Sequence, residues 1–224
     1  MHVIVVGAGV VGTSLINLAL MAGHNVVVIE SDAGRAAACA GELDARVIHG
    51  GISDADVTGE AGLAQAEALI ATTGDDAVNL MAAFLGRDAG IKRITCIANH
   101  SSHRPLFEQI GARVLVDPEV LVAQHLLDVT LHPEVKDLTT LQDREQVMEV
   151  TVGPEAEVTE KDLATLEADQ TLGDHLFLIS VRRGDERIFP TGQTRLLAGD
   201  NVMVLSRETI RPRDIALFTG AAAP

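Results

Sequence analysis

The chain has 224 residues, of which 47% are hydrophobic, so it can bury the core of one large domain or two small ones. Its 32 acidic residues outnumber its 17 basic ones and give a formal net charge of −15, which disfavours nucleic-acid binding through a basic surface. No apolar run approaches the roughly 18 residues that span a bilayer, and the N-terminus lacks the basic start and cleavage site of a signal peptide. We therefore expect a cytoplasmic protein with no direct membrane insertion.

The positive charge comes mostly from arginine, because Lys92, Lys136 and Lys161 are the only lysines in the sequence. Scarce lysine with abundant acid and alanine is typical of acidic, halophilic surfaces, on which salt screens the self-repulsion of a large net charge. An acidic protein from a GC-rich genome is the alternative. The two cysteines, Cys39 and Cys96, fit a reducing compartment, and neither belongs to a metal-binding spacing; Cys96 lies in an apolar run and is expected in the core.

The first thirty residues have the order of a βαβ unit that binds a dinucleotide. An apolar strand at 2–6 leads into the turn GAGVVG at 7–12, a helical pattern continues to about Met21, and a second strand at 26–29 ends on Glu30. The first glycine of the turn permits the tight bend, the second lets a pyrophosphate approach the backbone, and the third lets helix and strand pack closely. The helix N-terminus then presents free N–H groups to the phosphates.

Glu30 occupies the position from which an acid accepts hydrogen bonds from ribose hydroxyls in such folds. A carboxylate at this position also repels a 2′-phosphate, which disfavours NADP. The motif fits NAD(H) best, and ATP or ADP is the alternative ligand. A glycine-rich turn that binds nothing would explain neither Gly9 nor Glu30.

Four more strands and four more helices are predicted to complete one doubly wound, Rossmann-like parallel sheet of six strands. The predicted strands cover 46–49, 68–71, 94–98 and 113–116, and the predicted helices cover 33–40, 54–62, 77–88 and 102–110. We expect Asp32 and Asp75 to cap the helices that follow them, since aspartate is favoured at that position.

Small and polar residues at 72–76 follow the fourth strand, at the edge where open α/β sheets bind ligands. Helix capping with nucleotide contact is the favoured interpretation, because acids at a helix N-terminus stabilise its dipole without an ion. A divalent-cation site made by this segment with Asn79 is the alternative. His100 and His103 are a second candidate metal pair, although isolated histidine pairs are more often solvated loop residues.

The chain changes character after the sixth strand. A helix at 119–131 leads away from the sheet and packs either on a partner chain or on its own sheet. Strands at 147–152, 176–181, 187–189 and 202–205 and a short helix at 159–166 then predict a small, β-rich α+β domain, with a disordered tail from Ala221. The predicted domains are 1–117 and 135–220, joined by a linker helix at 118–134.

Segments along nearly the whole chain carry a resemblance to one family. In the first domain they are VIVVGAGVVGTSLINLAL, VVVIESD, VIHGGISD, ALIATTGDDAVNL and LFEQIGARVLVDPEVLVAQHLL. In the second they are GDHLFLISVRRGDERIFP and TRLLAGDNVMVL, where a strand ends in Arg-Arg-Gly and Leu-x-x-Gly-Asp precedes a final strand. This order resembles the TrkA-type regulatory subunits of potassium uptake systems, which join an RCK (regulator of potassium conductance) N-domain to an RCK C-domain.

The resemblance implies a nucleotide site at the first turn and at the ends of the following strands. The implied contact residues are Gly7, Ala8, Gly9, Val10, Val11, Gly12, Glu30, Ser31, Gly50, Gly51, Thr72, Thr73, Gly74 and Asn99. Asn99 stands at a position that is often basic in relatives, and Gly51 at one where many relatives carry aspartate. No metal ligand and no catalytic residue are implied.

In function, the resemblance implies a nucleotide-sensing regulatory subunit and not an enzyme. It implies a homo-oligomer, as a dimer, a tetramer or an octameric ring, that gates a separate membrane potassium-translocating subunit of the TrkH or KtrB type. The alternative is an NAD-dependent oxidoreductase that uses the same N-terminal site. Asp174 and His175 are the candidate catalytic pair for that alternative, which we disfavour because adjacent residues at a strand edge project to opposite sides.

Overall fold

The computed structural model describes residues 1–141 and 145–220, and the chain divides into two compact units, Met1–Val120 and Leu121–Pro224. Each unit has its own sheet and its own hydrophobic core. The tail from Ala221, for which we expected disorder, lies outside the described residues. Across the two described ranges, no helix combines the length and the apolar sequence that crossing a bilayer requires.

The first unit is a six-stranded parallel sheet with strand order β3-β2-β1-β4-β5-β6, and this confirms the predicted Rossmann-like fold. Its strands are β1 His2–Val6, β2 Asn25–Glu30, β3 Arg46–His49, β4 Ala68–Ala71, β5 Arg93–Ala98 and β6 Arg113–Val116. Its helices are α1 Val10–Met21, α2 Ala33–Glu42, α3 Ala55–Glu60, α4 Asp76–Asp88 and α5 Arg104–Ile110, with 3₁₀ turns at Leu63–Gln65 and Ser101–His103.

Alternation along the central strands explains why this sheet is covered on both faces. Ile4 and Val6 of β1 belong to one core cluster, whereas Val3 and Val5 belong to another. Successive side chains of a strand point to opposite faces, so a strand that is apolar throughout needs helices on both sides. The strand order reverses between β1 and β4, which opens a crevice at the carboxyl ends of these strands.

The predicted helix caps are present in the first unit. The Asp32 carboxylate accepts the amide of Arg35 at 2.8 Å at the start of α2, and Asp75 accepts the amide of Ala77 at 2.8 Å at the start of α4. Each cap satisfies an amide that the helix cannot pair internally. Helix α2 therefore begins where the sequence predicted, and α4 begins one residue earlier than predicted, at Asp76.

Helix α6, Pro118–Leu131, carries the chain into the second unit. The second unit is a five-stranded antiparallel sheet with strand order β10-β9-β11-β8-β7. Its strands are β7 Val135–Thr140, β8 Gln146–Thr151, β9 Leu176–Arg183, β10 Glu186–Ile188 and β11 Asn201–Ser206, and its helices are α7 Leu163–Ala168 and α8 Pro212–Thr219. Alternate residues of β8 and β11 face a core closed by α8, whose Phe218 is fully buried.

The second unit differs from its prediction in three places. The helix predicted at 159–166 runs instead from Leu163 to Ala168, because Asp162 caps it by accepting the amide of Thr165 at 2.9 Å. Strand β7 was not predicted as a strand, because only two of its six residues are buried and the polar residues between them do not alternate with apolar ones. Helix α8 was missed because its first turn carries Pro212 within a charged stretch, although proline is favoured there.

Candidate functional site

The turn after β1 packs tightly against the end of β4. Gly7 has a φ of 98°, and a Cβ on it would lie 2.9 Å from Cγ2 of Thr73. A Cβ on Gly12 would collide with the carbonyl oxygen of Gly7, to which the hydroxyl of Thr72 donates at 3.1 Å. The protein's own packing therefore requires the first and third glycines of the motif.

Gly9 differs from both. Its backbone (φ −74°, ψ −170°) suits any residue, and a Cβ built on it meets no heavy atom of the described residues within 4 Å. Gly9 is also the N-cap of α1, and no side chain among the described residues caps that helix. The N–H groups of the first turn are therefore available, and the positive end of the helix dipole favours an anion beside them.

A cleft of about 380 Å³ opens beside this turn, at the carboxyl ends of β1 to β4. Its volume lies in the range of small-molecule sites. Most of the predicted contact residues line it: Gly7, Gly9, Glu30, Ser31, Gly50, Gly51, Thr72, Thr73 and Gly74. Eight further residues that we did not predict also line it: Val6, Ile29, Arg35, Ile52, Ser53, Ala77, Val78 and Met81.

The remaining predicted residues stand beside the cleft and do not line it. Ala8 and Gly12 are buried in the turn. Val10 and Val11 begin α1 with exposed side chains, 89% and 47% accessible, so a contact from either residue would come from the backbone. Asn99 makes other bonds, described below, and its contact with a nucleotide stays a prediction.

The Glu30 carboxylate is 3% exposed and turned toward the glycine-rich turn. One oxygen accepts the amide of Ala8 at 2.7 Å, and the other accepts the amide of Asp32 at 2.8 Å and Nη2 of Arg35 at 3.0 Å. Burial by itself raises the pKa of Glu30, but these hydrogen bonds outweigh it and hold the pKa below its ordinary value. Glu30 is therefore ionised and keeps part of its acceptor capacity for a ribose hydroxyl.

The end of β4 is held by Asn79, which is fully buried on α4. Its side-chain oxygen accepts the hydroxyl of Thr73 at 2.7 Å and the amide of the same residue at 3.1 Å. Its side-chain nitrogen donates to the carbonyl oxygens of Thr73 at 2.9 Å and Ile97 at 3.0 Å. These bonds fix the backbone of Thr73 where it lines the cleft.

Asp76, at the first position of α4, holds the loop after β5. One carboxylate oxygen accepts the backbone and side-chain N–H groups of Asn99 at 2.7 and 2.8 Å. The other accepts the amide of His100 at 3.1 Å and Nδ1 of His103 at 2.7 Å, so that ring nitrogen carries the proton. Burial alone raises the pKa of Asp76, but these hydrogen bonds lower it overall. The Asn99 amide is thus occupied inside the protein.

These networks engage Asp75, Asp76 and one nitrogen of His103 among the candidate metal ligands. Asp75 caps α4, Asp76 accepts four N–H groups, and the rings of His100 and His103 lie edge to face with centroids 5.4 Å apart. Among the residues that the structure describes, no group of three or more histidine, cysteine or acidic side chains is arranged to hold a metal.

The other candidate reactive groups are not among the residues that line the cleft. Burial raises the pKa of the Cys96 thiol to about 12, so it is a protonated core residue as expected. Among the described residues, no hydrogen bond joins the side chains of Asp174 and His175, the candidate catalytic pair that we disfavoured. Instead, Nε2 of His175 lies 3.2 Å from Oδ1 of Asp214 and 2.8 Å from Nη2 of Arg211.

Arg35 is the charged residue of the cleft that sequence reasoning missed. A usable signal was present: because Asp32 caps α2, Arg35 falls in the first turn of that helix, over the end of β2. A side chain in this position reaches the acid that ends the strand. For Met81 the sequence gave no such signal, because an apolar residue at its position on α4 is equally expected in a hydrophobic core.

Comparison with known proteins agrees with this architecture. The TrkA-N domain matches residues 3–118, and the TrkA-C domain matches residues 147–220. The chain is 28% identical to the Trk system potassium uptake protein TrkA homolog of Methanothermobacter thermautotrophicus, over 98% of this chain and 100% of that protein. It is 27% identical to the TrkA homolog of Archaeoglobus fulgidus, over 100% of this chain and 50% of that protein.

A solved structure of the GsuK channel bound to NAD is similar in fold, with a TM-score of 0.60 and 20% identity over 100% of this chain and 40% of that one. The chain thus spans the whole of one curated relative and about half the length of the other. Because the TrkA-N domain alone covers just over half of the 224 residues and the TrkA-C domain follows it, the chain belongs to the TrkA family, as the sequence motifs predicted.

Proposed function

We propose that this chain is a nucleotide-sensing regulatory subunit that gates a separate membrane potassium uptake protein. Its curated relatives are named for the Trk potassium uptake system, and this supports the choice of ion and partner. The observation that carries the proposal is the empty space around Gly9, where a Cβ would meet no described atom within 4 Å. Gly9 lines the cleft and is the N-cap of α1, which no described side chain caps.

An adenine nucleotide fits the residues that line the cleft. A side chain at Gly9 would touch no described part of the protein within 4 Å but would project into the space where a pyrophosphate meets the helix N-terminus. Glu30 supplies an acceptor for ribose hydroxyls, and the backbone of Gly50 and Gly51 supplies the wall beside the base. NAD(H) is the proposed ligand, because the glycine motif followed by Glu30 fits it best, with ATP or ADP as the alternative. Solved GsuK structures of similar fold are bound to NAD in one case and to ADP in another, which supports a nucleotide without choosing between the two.

Regulation without catalysis is the proposed use of the ligand. Of the described residues that line the cleft, only Glu30 and Arg35 ionise, and they are paired with each other. A dehydrogenase needs a free acid or base beside the cofactor, and this lining offers none. A ligand without turnover acts by population shift: a hundredfold bias between two conformations needs a difference in binding free energy of about 2.7 kcal/mol.

Assembly with further copies and with a membrane partner is part of the proposal. Six large aliphatic residues of α6 are each more than half exposed: Val120, Leu121, Val122, Leu126, Leu127 and Leu131. Apolar helix faces of this extent are usually covered by a partner. We propose that a homo-oligomer, a dimer or a larger ring, covers them, and that it lies in the cytoplasm against its membrane partner. The division into domains at 1–117 and 135–220, with a linker helix between, stays a prediction.

The test compares two glycines of one turn by calorimetry with NAD, NADH, ATP and ADP. Gly9→Ala is expected to fold with an unchanged melting temperature and to weaken nucleotide binding by about tenfold or more, because the added methyl overpacks the site. Gly12→Ala is the matched variant. It is expected to lower the melting temperature, because its Cβ collides with the backbone of Gly7.

Two results would contradict the proposal. If the unmodified protein binds none of the four nucleotides, the cleft is not a nucleotide site. If bound NADH is oxidised with turnover by a small substrate, the protein is an oxidoreductase.

A further inference from the structure

The expectation that this site rejects NADP rests on Glu30 acting as an isolated carboxylate. The structure gives that carboxylate a partner. Nη2 of Arg35 lies 3.0 Å from Oε1 of Glu30, and the Glu30 side chain is 3% exposed, whereas that of Arg35 is 57% exposed. At the wall of the cleft a ligand therefore meets an exposed guanidinium beside a buried, already hydrogen-bonded acid.

We propose that Arg35 is the specificity-determining residue at the ribose end of the cleft and admits a phosphate on the ribose, so that NADP(H) binds as well as NAD(H). This inference rests on the proposed nucleotide site. It extends that function to the phosphorylated cofactor, which the acid at the end of β2 was expected to exclude.

The donors available at this end of the cleft support a phosphate. Arg35 carries five N–H donors, and among the described residues its side chain has Glu30 as its hydrogen-bond acceptor, through Nη2. The hydroxyl-bearing residues Ser31 and Ser53 line the same end, after the adjacent strands β2 and β3. A guanidinium flanked by hydroxyl donors matches the geometry and charge of a phosphate group. In dinucleotide-binding folds, an arginine near this position accommodates a 2′-phosphate.

Two nearby acids accept hydrogen bonds from backbone amides, although Asp32 also places negative charge beside Arg35 and, after the hydrogen bond to Glu30, helps to raise the pKa of Arg35. Asp32 is used as the cap of α2, where it accepts the amide of Arg35, and Asp54 accepts the amide of Gly51 at 3.2 Å. Neither acid lines the cleft. The Glu30 charge is balanced by Arg35 itself. The chain's net charge of −15 opposes any anion at long range, and salt screens it, so the donors of Arg35 that Glu30 leaves unused decide whether the extra phosphate is tolerated.

The experiment measures the dissociation constants of NAD and NADP for the wild type, Arg35→Gln and Arg46→Gln. Arg46 is the matched control: it lies at the start of β3, pairs with Glu60 at 3.1 Å and is 58% exposed, but it does not line the cleft. In the wild type we expect NADP to bind within about tenfold of NAD. Arg35→Gln should weaken NADP binding by about tenfold or more and NAD binding by less than about threefold, since a charge-assisted bond to phosphate is lost. Arg46→Gln should change neither.

A second variant, Arg35→Lys, separates charge from structure. It keeps a cation without the planar fork, and it should recover part of the NADP affinity that Arg35→Gln loses. The inference is wrong if wild-type NADP binds about a hundredfold or more weakly than NAD, or if Arg35→Gln weakens both cofactors equally. Failure to bind any of NAD, NADP, ATP and ADP would instead overturn the nucleotide site itself, and this inference with it.

Discussion

Two buried carboxylates, at opposite sides of the sheet's switch point, are built alike but used differently. Glu30 ends β2 and Asp76 begins α4, and they are 3% and 7% exposed. Each accepts two backbone N–H groups and one basic side chain, Arg35 for Glu30 and His103 for Asp76. Only Glu30 of the two lines the cleft. Similar chemistry thus lines the cleft, our proposed ligand site, in one region and anchors a loop in the other.

The difference lies in what surrounds each acid. Glu30 accepts a hydrogen bond from the glycine-rich turn, where the space around Gly9 leaves room for a ligand. Asp76 instead uses its acceptor sites for hydrogen bonds from Asn99 and the loop after β5. The partners also differ, because arginine offers a planar fork of N–H donors, whereas the His103 ring contacts Asp76 through one nitrogen. A buried acid at the carboxyl edge of a parallel sheet is therefore a ligand contact only where its neighbours leave acceptor capacity and space.

The largest expected effect is on stability at Asp76. Asp76→Ala removes the buried carboxylate that accepts the partly buried amides of Asn99 and His100, and it should lower the free energy of unfolding by about 3 kcal/mol. Chemical denaturation measures it. Nucleotide affinity at a temperature where the variant is folded should change by less than about threefold. A large loss of affinity with unchanged stability would reverse the roles of the two acids.

Glu30→Ala is expected to act mainly on binding. It removes the acceptor for the ribose hydroxyls and should weaken NAD binding by about 1–3 kcal/mol, measured by calorimetry. Glu30→Gln, which keeps the shape but not the charge, is the control for packing. Unchanged affinity in both variants would mean that Glu30 only holds the amides of Ala8 and Asp32.

The pH dependence of stability should reveal both acids. The pKa of each is lowered on folding, so each stabilises the native state when ionised, and that stabilisation is lost as the pH falls below the ordinary values of 4.5 for Glu30 and 3.8 for Asp76. The stability gap between wild type and Asp76→Ala should therefore narrow when the melting temperature is followed from about pH 7 to about pH 3. A gap that stays constant would argue against an ionised Asp76.

Salt should act on the whole chain more than on either acid. If the surface is halophilic, multimolar salt screens the charge of −15 and raises the melting temperature of wild type, Glu30→Ala and Asp76→Ala by similar amounts. Equal stability of the wild type in low and multimolar salt would favour the GC-rich genome as the source of the acidity.

The fold could be predicted largely because its signals are local. The glycine turn, the two-sided apolar strands and the aspartate caps each follow from neighbouring residues, and these predictions are confirmed. Strand β7 and helix α8 were missed because only two buried residues mark the first and a proline opens the second. Strand β7 forms by pairing with β8, and helix α8 forms by packing on the core of the second unit. The spacing of residues in the sequence does not predict either of these contacts.

The site was predictable only in part, because side-chain direction depends on distant residues. Glu30 and Gly9 could be placed at the cleft from the motif alone. Asn99 follows β5 at the same edge, but Asp76, which lies 23 residues earlier, takes its amide. The role of Arg35 depends on the Asp32 cap, which sets where the helix begins. Such dependence is typical of polar groups, whose partners need not be near in sequence.

The carbonyl oxygen of Thr73 gives the cleft a connection to the surface. It accepts from the side chains of both Asn79 and Asn99, at 2.9 and 3.2 Å, and Asn99 shares Asp76 with His103, whose ring is 40% exposed. A ligand that displaces the backbone at Thr73 must therefore either move these hydrogen-bonded side chains together or break a hydrogen bond between them. In either case the imidazole of His103 changes its environment, and its ring resonances become a natural spectroscopic reporter of whether the cleft is filled.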